Sequence, residues 1–157
     1  MSLEKGPYLM LAAFCELVIE DKSGVLSLIR IVDRMHITTQ GPTAPEQMPP
    51  ATLNWFLVLT LKSGDARGTL PVKIEPELPS GIKAPPLTLS AYFEGGSRGV
   101  NMISRLNMKL EMPGIYWFWI YVNDIFFTKI PVEVIYSRTV TGAPPPPSCT
   151  SAPCGQV

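Results

Sequence analysis

The stretch Gly114–Val122, GIYWFWIYV, places two tryptophans, two tyrosines and a phenylalanine side by side. Aromatic and branched side chains favour extended backbone, so the segment reads as a strand. Successive side chains of a strand point to opposite faces, and the following segment, Phe126–Tyr136, fixes which set points where. There Ile130, Val132 and Val134 are even-numbered, whereas Lys129 and Glu133 are odd. A hairpin joining the two segments through an odd number of loop residues, Asn123–Ile125, sets Tyr116, Phe118, Ile120 and Val122 toward a core. Trp117, Trp119 and Tyr121 are left on the outward face, beside Phe127 and Lys129. A lysine there is positioned for a cation-π contact.

The same alternation spreads outward along the chain. Leu53, Trp55, Leu57, Leu59 and Leu61 share one side of Thr52–Leu61; Leu70, Val72 and Ile74 alternate through Thr69–Glu75, and Leu87–Phe93 and Val100–Leu110 repeat the pattern. Pro71 lacks a backbone donor, which predicts an edge position for its strand. Near the start, Tyr8–Glu20 is almost continuously apolar and reads as a strand buried on both faces. The turn Asp21-Lys22-Ser23-Gly24 returns it to a partner over Val25–His36, while Ile37–Pro50 reads as a long loop. Gly95–Gly99 is glycine-rich without opening a helix and reads as a hairpin turn, not a phosphate cradle.

Seventeen prolines and twelve glycines leave little room for long helices. About eight strands at roughly ten-residue spacing predict an all-β, two-sheet antiparallel β-sandwich of jelly-roll-like form. The sandwich domain covers 1–136. Residues 137–157 form a proline- and cysteine-containing tail whose Pro144–Pro147 run suits polyproline II.

Thirteen basic and thirteen acidic residues cancel and are scattered, which excludes an electrostatic footprint for nucleic acid or an anionic membrane. No segment approaches the ~20 apolar residues of a membrane span. The N-terminal apolar run before Cys15 is short, with bulky Phe14 where lipoprotein processing wants a small residue, so the expected location is cytoplasmic. Charged residues are only 17% of the chain, a composition that favours assembly.

The search for chemistry yields little. His36 stands alone at a strand end and reads as structural. Cys15-Glu16 and Asp33-Arg34 meet if the first hairpin pairs them, and acid beside arginine there reads as an ion pair rather than a catalytic dyad. No nucleophile elbow, phosphate loop or zinc-ligand spacing is present, so no catalytic residue, cofactor or metal is expected. Cys149 and Cys154 in the tail are close enough in sequence for a small disulfide loop; crosslinking between chains and a reduced pair remain open. The C-terminal Cys154–Val157 lacks the aliphatic middle residues of a prenylation signal.

On AFCE (Ala13–Glu16), the turn glycine Gly24, LSLIRIVDR (Leu26–Arg34), PGIYWFWIYV (Pro113–Val122) and PVEV (Pro131–Val134), the chain resembles an uncharacterised family of small bacterial proteins, a domain of unknown function. The resemblance runs from Tyr8 to Tyr136. It implies a β-sandwich in a bacterial, cytoplasmic setting and supplies no active site.

Three readings apply to the outward stripe: cover by the protein's own loop or tail, a protein interface, or a platform on which sugar rings stack. The expectation is a non-enzymatic interaction or structural subunit that self-associates through this face, its tail, or both. A carbohydrate-binding module is the alternative.

Overall fold

The computed structural model describes residues 5–142. Nine strands appear in chain order: β1 (Tyr8–Glu20), β2 (Leu26–Val32), β3 (Arg34–Gln40), β4 (Ala51–Gly64), β5 (Gly68–Glu77), β6 (Leu87–Phe93), β7 (Gly96–Leu110), β8 (Gly114–Val122) and β9 (Ile125–Thr139). They form two sheets, ordered β2-β1-β4-β7 and β3-β9-β8-β5-β6. No helix occurs among the described residues, and hence none long and apolar enough to cross a membrane.

Alternation builds the core. The odd residues Leu53, Trp55, Leu57, Leu59 and Leu61 of β4 are buried, and they face Tyr116, Phe118, Ile120 and Val122 of β8, all buried as well. Phe14 of β1 bridges the layers, its ring edge-on to Phe118 with centroids 5.0 Å apart. Burying such side chains is the main favourable term in folding. Beside the β3–β9 pair the core is closed by the β3–β4 connection, whose Met48 is buried, and by Tyr136 of β9, whose hydroxyl donates to the Pro45 carbonyl at 2.6 Å and pairs with the Thr39 hydroxyl at 2.7 Å.

The sandwich is not a jelly roll. Val25–His36 is two strands: β2 pairs with β1, then at Asp33 the chain crosses to the other sheet, where β3 runs parallel to β9. The crossing extends strand structure through Gln40, into the expected loop. Gly95–Gly99 is likewise no hairpin turn, because β6 and β7 lie in different sheets; Gly95 and Gly96 take positive φ where the chain turns the corner. With β5, β8 and β9 adjacent in one sheet and β4 and β7 adjacent in the other, the connectivity is that of immunoglobulin-type sandwiches. Tyr116, near the start of β8, donates from its hydroxyl to the Met112 carbonyl at 2.8 Å, the corner contact characteristic of that architecture.

Pro71 lies in β5, an interior strand and not an edge. Its carbonyl accepts from Asn123 N at 2.8 Å, so its missing donor faces the β8 side just beyond Val122, where that ladder has ended. Pro76 repeats the device on the other side: its carbonyl accepts from Ala84, and β6 pairing has stopped at Leu87. A proline is tolerated wherever its absent N–H has no ladder partner, and a strand flanked on both sides still has such positions at its ends.

Nor is β1 buried on both faces. Its first half pairs with β4 over Tyr8–Cys15, while its second half leaves β4 and pairs with β2 alone. Cys15 is fully buried, yet Leu17 and Ile19 are about half exposed, as are their β2 neighbours Ile29 and Ile31.

Candidate functional site

The outward face of the five-stranded sheet is a grid set by register. Trp119 of β8 stands between Glu75 of β5 and Lys129 of β9; Trp117 stands between Glu77 and Pro131; Tyr121 stands between Lys73 and Phe126. Cross-strand neighbours on one face lie close enough to interact directly. The Lys129 ammonium sits over both indoles, 4.4 Å from the Trp117 ring centre and 4.7 Å from that of Trp119. Lys73 covers Tyr121 at 4.6 Å, and Lys83 stands 5.7 Å from Trp119.

Lys83 arrives from the β5–β6 connection, which folds back so that Lys83 bridges to Glu77. Its ammonium lies 2.5 Å from Glu75 Oε1, a close ion pair without the alignment of a directed hydrogen bond. That carboxylate holds the lysine above its ordinary pKa. Lys73 approaches the other oxygen of Glu75 at 3.9 Å. The Trp119 indole N–H donates to Glu77 Oε2 at 2.7 Å, fixing the ring. Three lysines and two carboxylates therefore roof the aromatic stripe, and Trp117, Trp119 and Tyr121 are each half-buried beneath them. Lysine stems shield rings in this way while keeping the charge in water.

Phe127 is not part of this face. The β8–β9 turn holds two residues, Asn123 and Asp124, both at positive φ, and a bulge between the pairs Ile120–Thr128 and Tyr121–Phe126 takes up the extra residue. The bulged Phe127 packs against the core. Phe126 takes the outward place, half exposed, with ring centroids 5.5 Å from Trp119 and 6.1 Å from Tyr121. Two turn residues plus one bulged residue give the same parity as a three-residue loop, which is why the tryptophans still face outward.

The other sequence candidates do not converge. Glu16 pairs with Arg30 at 3.1 Å and Asp33 with its neighbour Arg34 at 2.9 Å, two separate exposed pairs rather than one cluster. His36 is exposed on the edge strand β3. Burial pushes the Cys15 thiol above its ordinary pKa, which disfavours the reactive thiolate. Cys149, Cys154 and the Pro144–Pro147 run lie outside the described residues. β9 continues to Thr139, past the Tyr136 boundary expected for the domain.

Sequence reasoning missed Lys73, Glu75, Glu77, Lys83 and Phe126. The alternation of Lys73, Glu75 and Glu77 with Val72, Ile74 and Pro76 is visible in the sequence. Their place beside the tryptophans is not, because β5 and β8 are distant in sequence and are joined only by pairing.

No protein-family model matches the chain, and no curated protein matches it. Among solved structures it is similar to an immunoglobulin-like protein from Pseudomonas aeruginosa, at 11% identity and a TM-score of 0.38, over 84% of this chain and 98% of that one.

Proposed function

We propose that the chain is a non-enzymatic interaction or structural subunit that associates with a second copy of itself through the outer face of its five-stranded sheet. The observation that carries this reading is the mixture of signs around the aromatic stripe: Lys73, Lys83 and Lys129 stand beside Glu75 and Glu77. A two-fold contact sets a surface against itself, so a face of one sign repels its copy, whereas a mixed face can exchange partners across the axis. Tryptophan and tyrosine supply contact area with few rotatable bonds, and such residues concentrate at interface centres.

The test is solution mass by light scattering on a sizing column, for wild type, Trp117→Ser/Trp119→Ser and Lys129→Glu. Wild type is expected at the mass of two chains and both variants at one. Lys129→Glu keeps the core intact while setting a third carboxylate beside Glu75 and Glu77. A wild type that elutes and scatters as one chain overturns the reading.

A carbohydrate-binding module is the second reading. It is favoured by Glu75 and Glu77, which bring hydroxyl-binding oxygens next to the indoles, the polar complement a sugar platform requires. It predicts a monomer whose tryptophan fluorescence responds saturably to a glycan.

A further inference from the structure

The opposite outer face, that of the four-stranded sheet, carries a cleft of about 390 Å³. Its floor follows from register. Thr60 and Lys62 of β4 point outward; Thr60 stands between Leu11 of β1 and Asn101 of β7, and Lys62 lies opposite Gly99. Its other wall is the β1–β2 hairpin, which reaches over this face until the Asn101 side-chain amide donates to the Gly24 carbonyl at 3.4 Å. Val25, Leu26 and Leu28 of the hairpin line the space together with Met10 and Leu11.

The polar and apolar parts are separated. Aliphatic side chains fill the hairpin side, and among the described residues no aromatic ring is present in the lining. Thr60, Lys62 and Asn101 gather on the sheet side. Lys62 is half-buried, and its ammonium lies over Gly99, where a β-carbon would sit 3.8 Å from it. Among the described residues Lys62 forms no ion pair. The Asp21 carboxylate is engaged, accepting from the Ser23 and Val25 amides at 2.8 and 3.0 Å, and the Glu20 carboxylate lies beside Gly24 at the hairpin tip.

A lysine ammonium at the end of an apolar cleft offers charge-assisted hydrogen bonds to an anion placed beside it. One lysine, one amide and one hydroxyl match a monoanion; among the described residues the cleft is lined by no arginine and no second cation for a phosphate dianion. We propose that this cleft binds a small aliphatic carboxylate, its head on Lys62, Asn101 and Thr60 and its chain along Leu26, Leu28, Val25 and Met10. The site lies on the other outer face from the aromatic stripe, so its test is independent of the self-association reading.

Octanoate is the probe, titrated into the labelled full chain and followed by amide and methyl NMR shifts, with octanol and octylammonium as matched controls. Saturable shifts are expected at Val25, Leu26, Leu28 and Asn101 with octanoate, and at least about tenfold weaker binding with either control. Lys62→Met is expected to weaken octanoate about tenfold while leaving octanol unchanged and the spectrum folded. Leu28→Gln weakens both. Absence of saturable octanoate shifts at these residues, equal binding of octanol, or unchanged octanoate binding by Lys62→Met each overturns the proposal.

Discussion

The two outer faces of this sandwich solve one problem differently. Each sheet turns apolar side chains away from the shared core. On the five-stranded sheet these are aromatic, and lysines and glutamates from β5, β9 and the β5–β6 connection roof them. On the four-stranded sheet most are aliphatic, Phe56 with Arg105 over its ring at 5.8 Å being the aromatic exception; Val58 and Cys15 face outward yet are fully buried, while Ile31, the β2 partner of Cys15, is left at 64% exposure. An aromatic face can be shielded by cations because its rings attract them. Isoleucine and leucine offer a cation nothing comparable, so their cover must be other apolar groups, and the cover ends where the backbone does.

The largest expected effect tests what the two faces share. Phe118 is wholly buried between the sheets against Phe14, so Phe118→Ala is expected to destabilise by about 4 kcal/mol in urea unfolding. A loss of about 1 kcal/mol would mean that the layers are not packed as described.

Within the aliphatic face, Val58→Ala and Ile31→Ala sharpen the contrast between covered and bare positions. The first is expected to cost about 2 kcal/mol and the second under about 0.5, measured by the same unfolding curves. Similar values for the two would show that the hairpin does not shield β4.

Tyr116→Phe comes next. It deletes the hydroxyl bonded to the Met112 carbonyl, a loss of about 1 kcal/mol at neutral pH. Burial pushes the Tyr116 phenol above its ordinary pKa. The folded state therefore holds this proton after the unfolded chain releases it, so the associated stability is present below about pH 10 and is lost as pH rises beyond that. The gap between wild type and Tyr116→Phe should narrow over the same range, as read from denaturation midpoints between neutral and strongly alkaline pH.

The smallest effect concerns the turn that orients the aromatic face. Asp124 has φ of 62°, a conformation that glycine adopts without strain. Asp124→Gly creates the Asn-Gly pair favoured by such turns and should stabilise by about 0.5 kcal/mol, with the Lys129 contact to the indoles unchanged in tryptophan emission. Destabilisation would mean that the turn and bulge are set by something other than backbone strain.

The sandwich class, the inward set of β4 and β8 and the outward set Trp117, Trp119 and Tyr121 were legible because each rests on alternation within one strand, and a period of two survives any tertiary arrangement. Phe127 was misplaced for the complementary reason. A bulge changes parity locally and is recorded in pairing distance, although the Asn123-Asp124 dipeptide hints at a two-residue turn. Pro71 was placed at an edge because a missing donor is a local fact, whereas the end of a neighbouring ladder is not.

By itself, then, the sequence determined which side chains share a face and that those faces belong to strands. Tertiary structure alone decided which strands became neighbours. Register set Glu75 and Lys129 on either side of Trp119, and the curl of the hairpin set Leu28 across from Lys62. Hydrophobic alternation is a property of consecutive residues, but a site is assembled from distant ones, and their meeting is fixed by hydrogen-bonded register and by where the backbone bends.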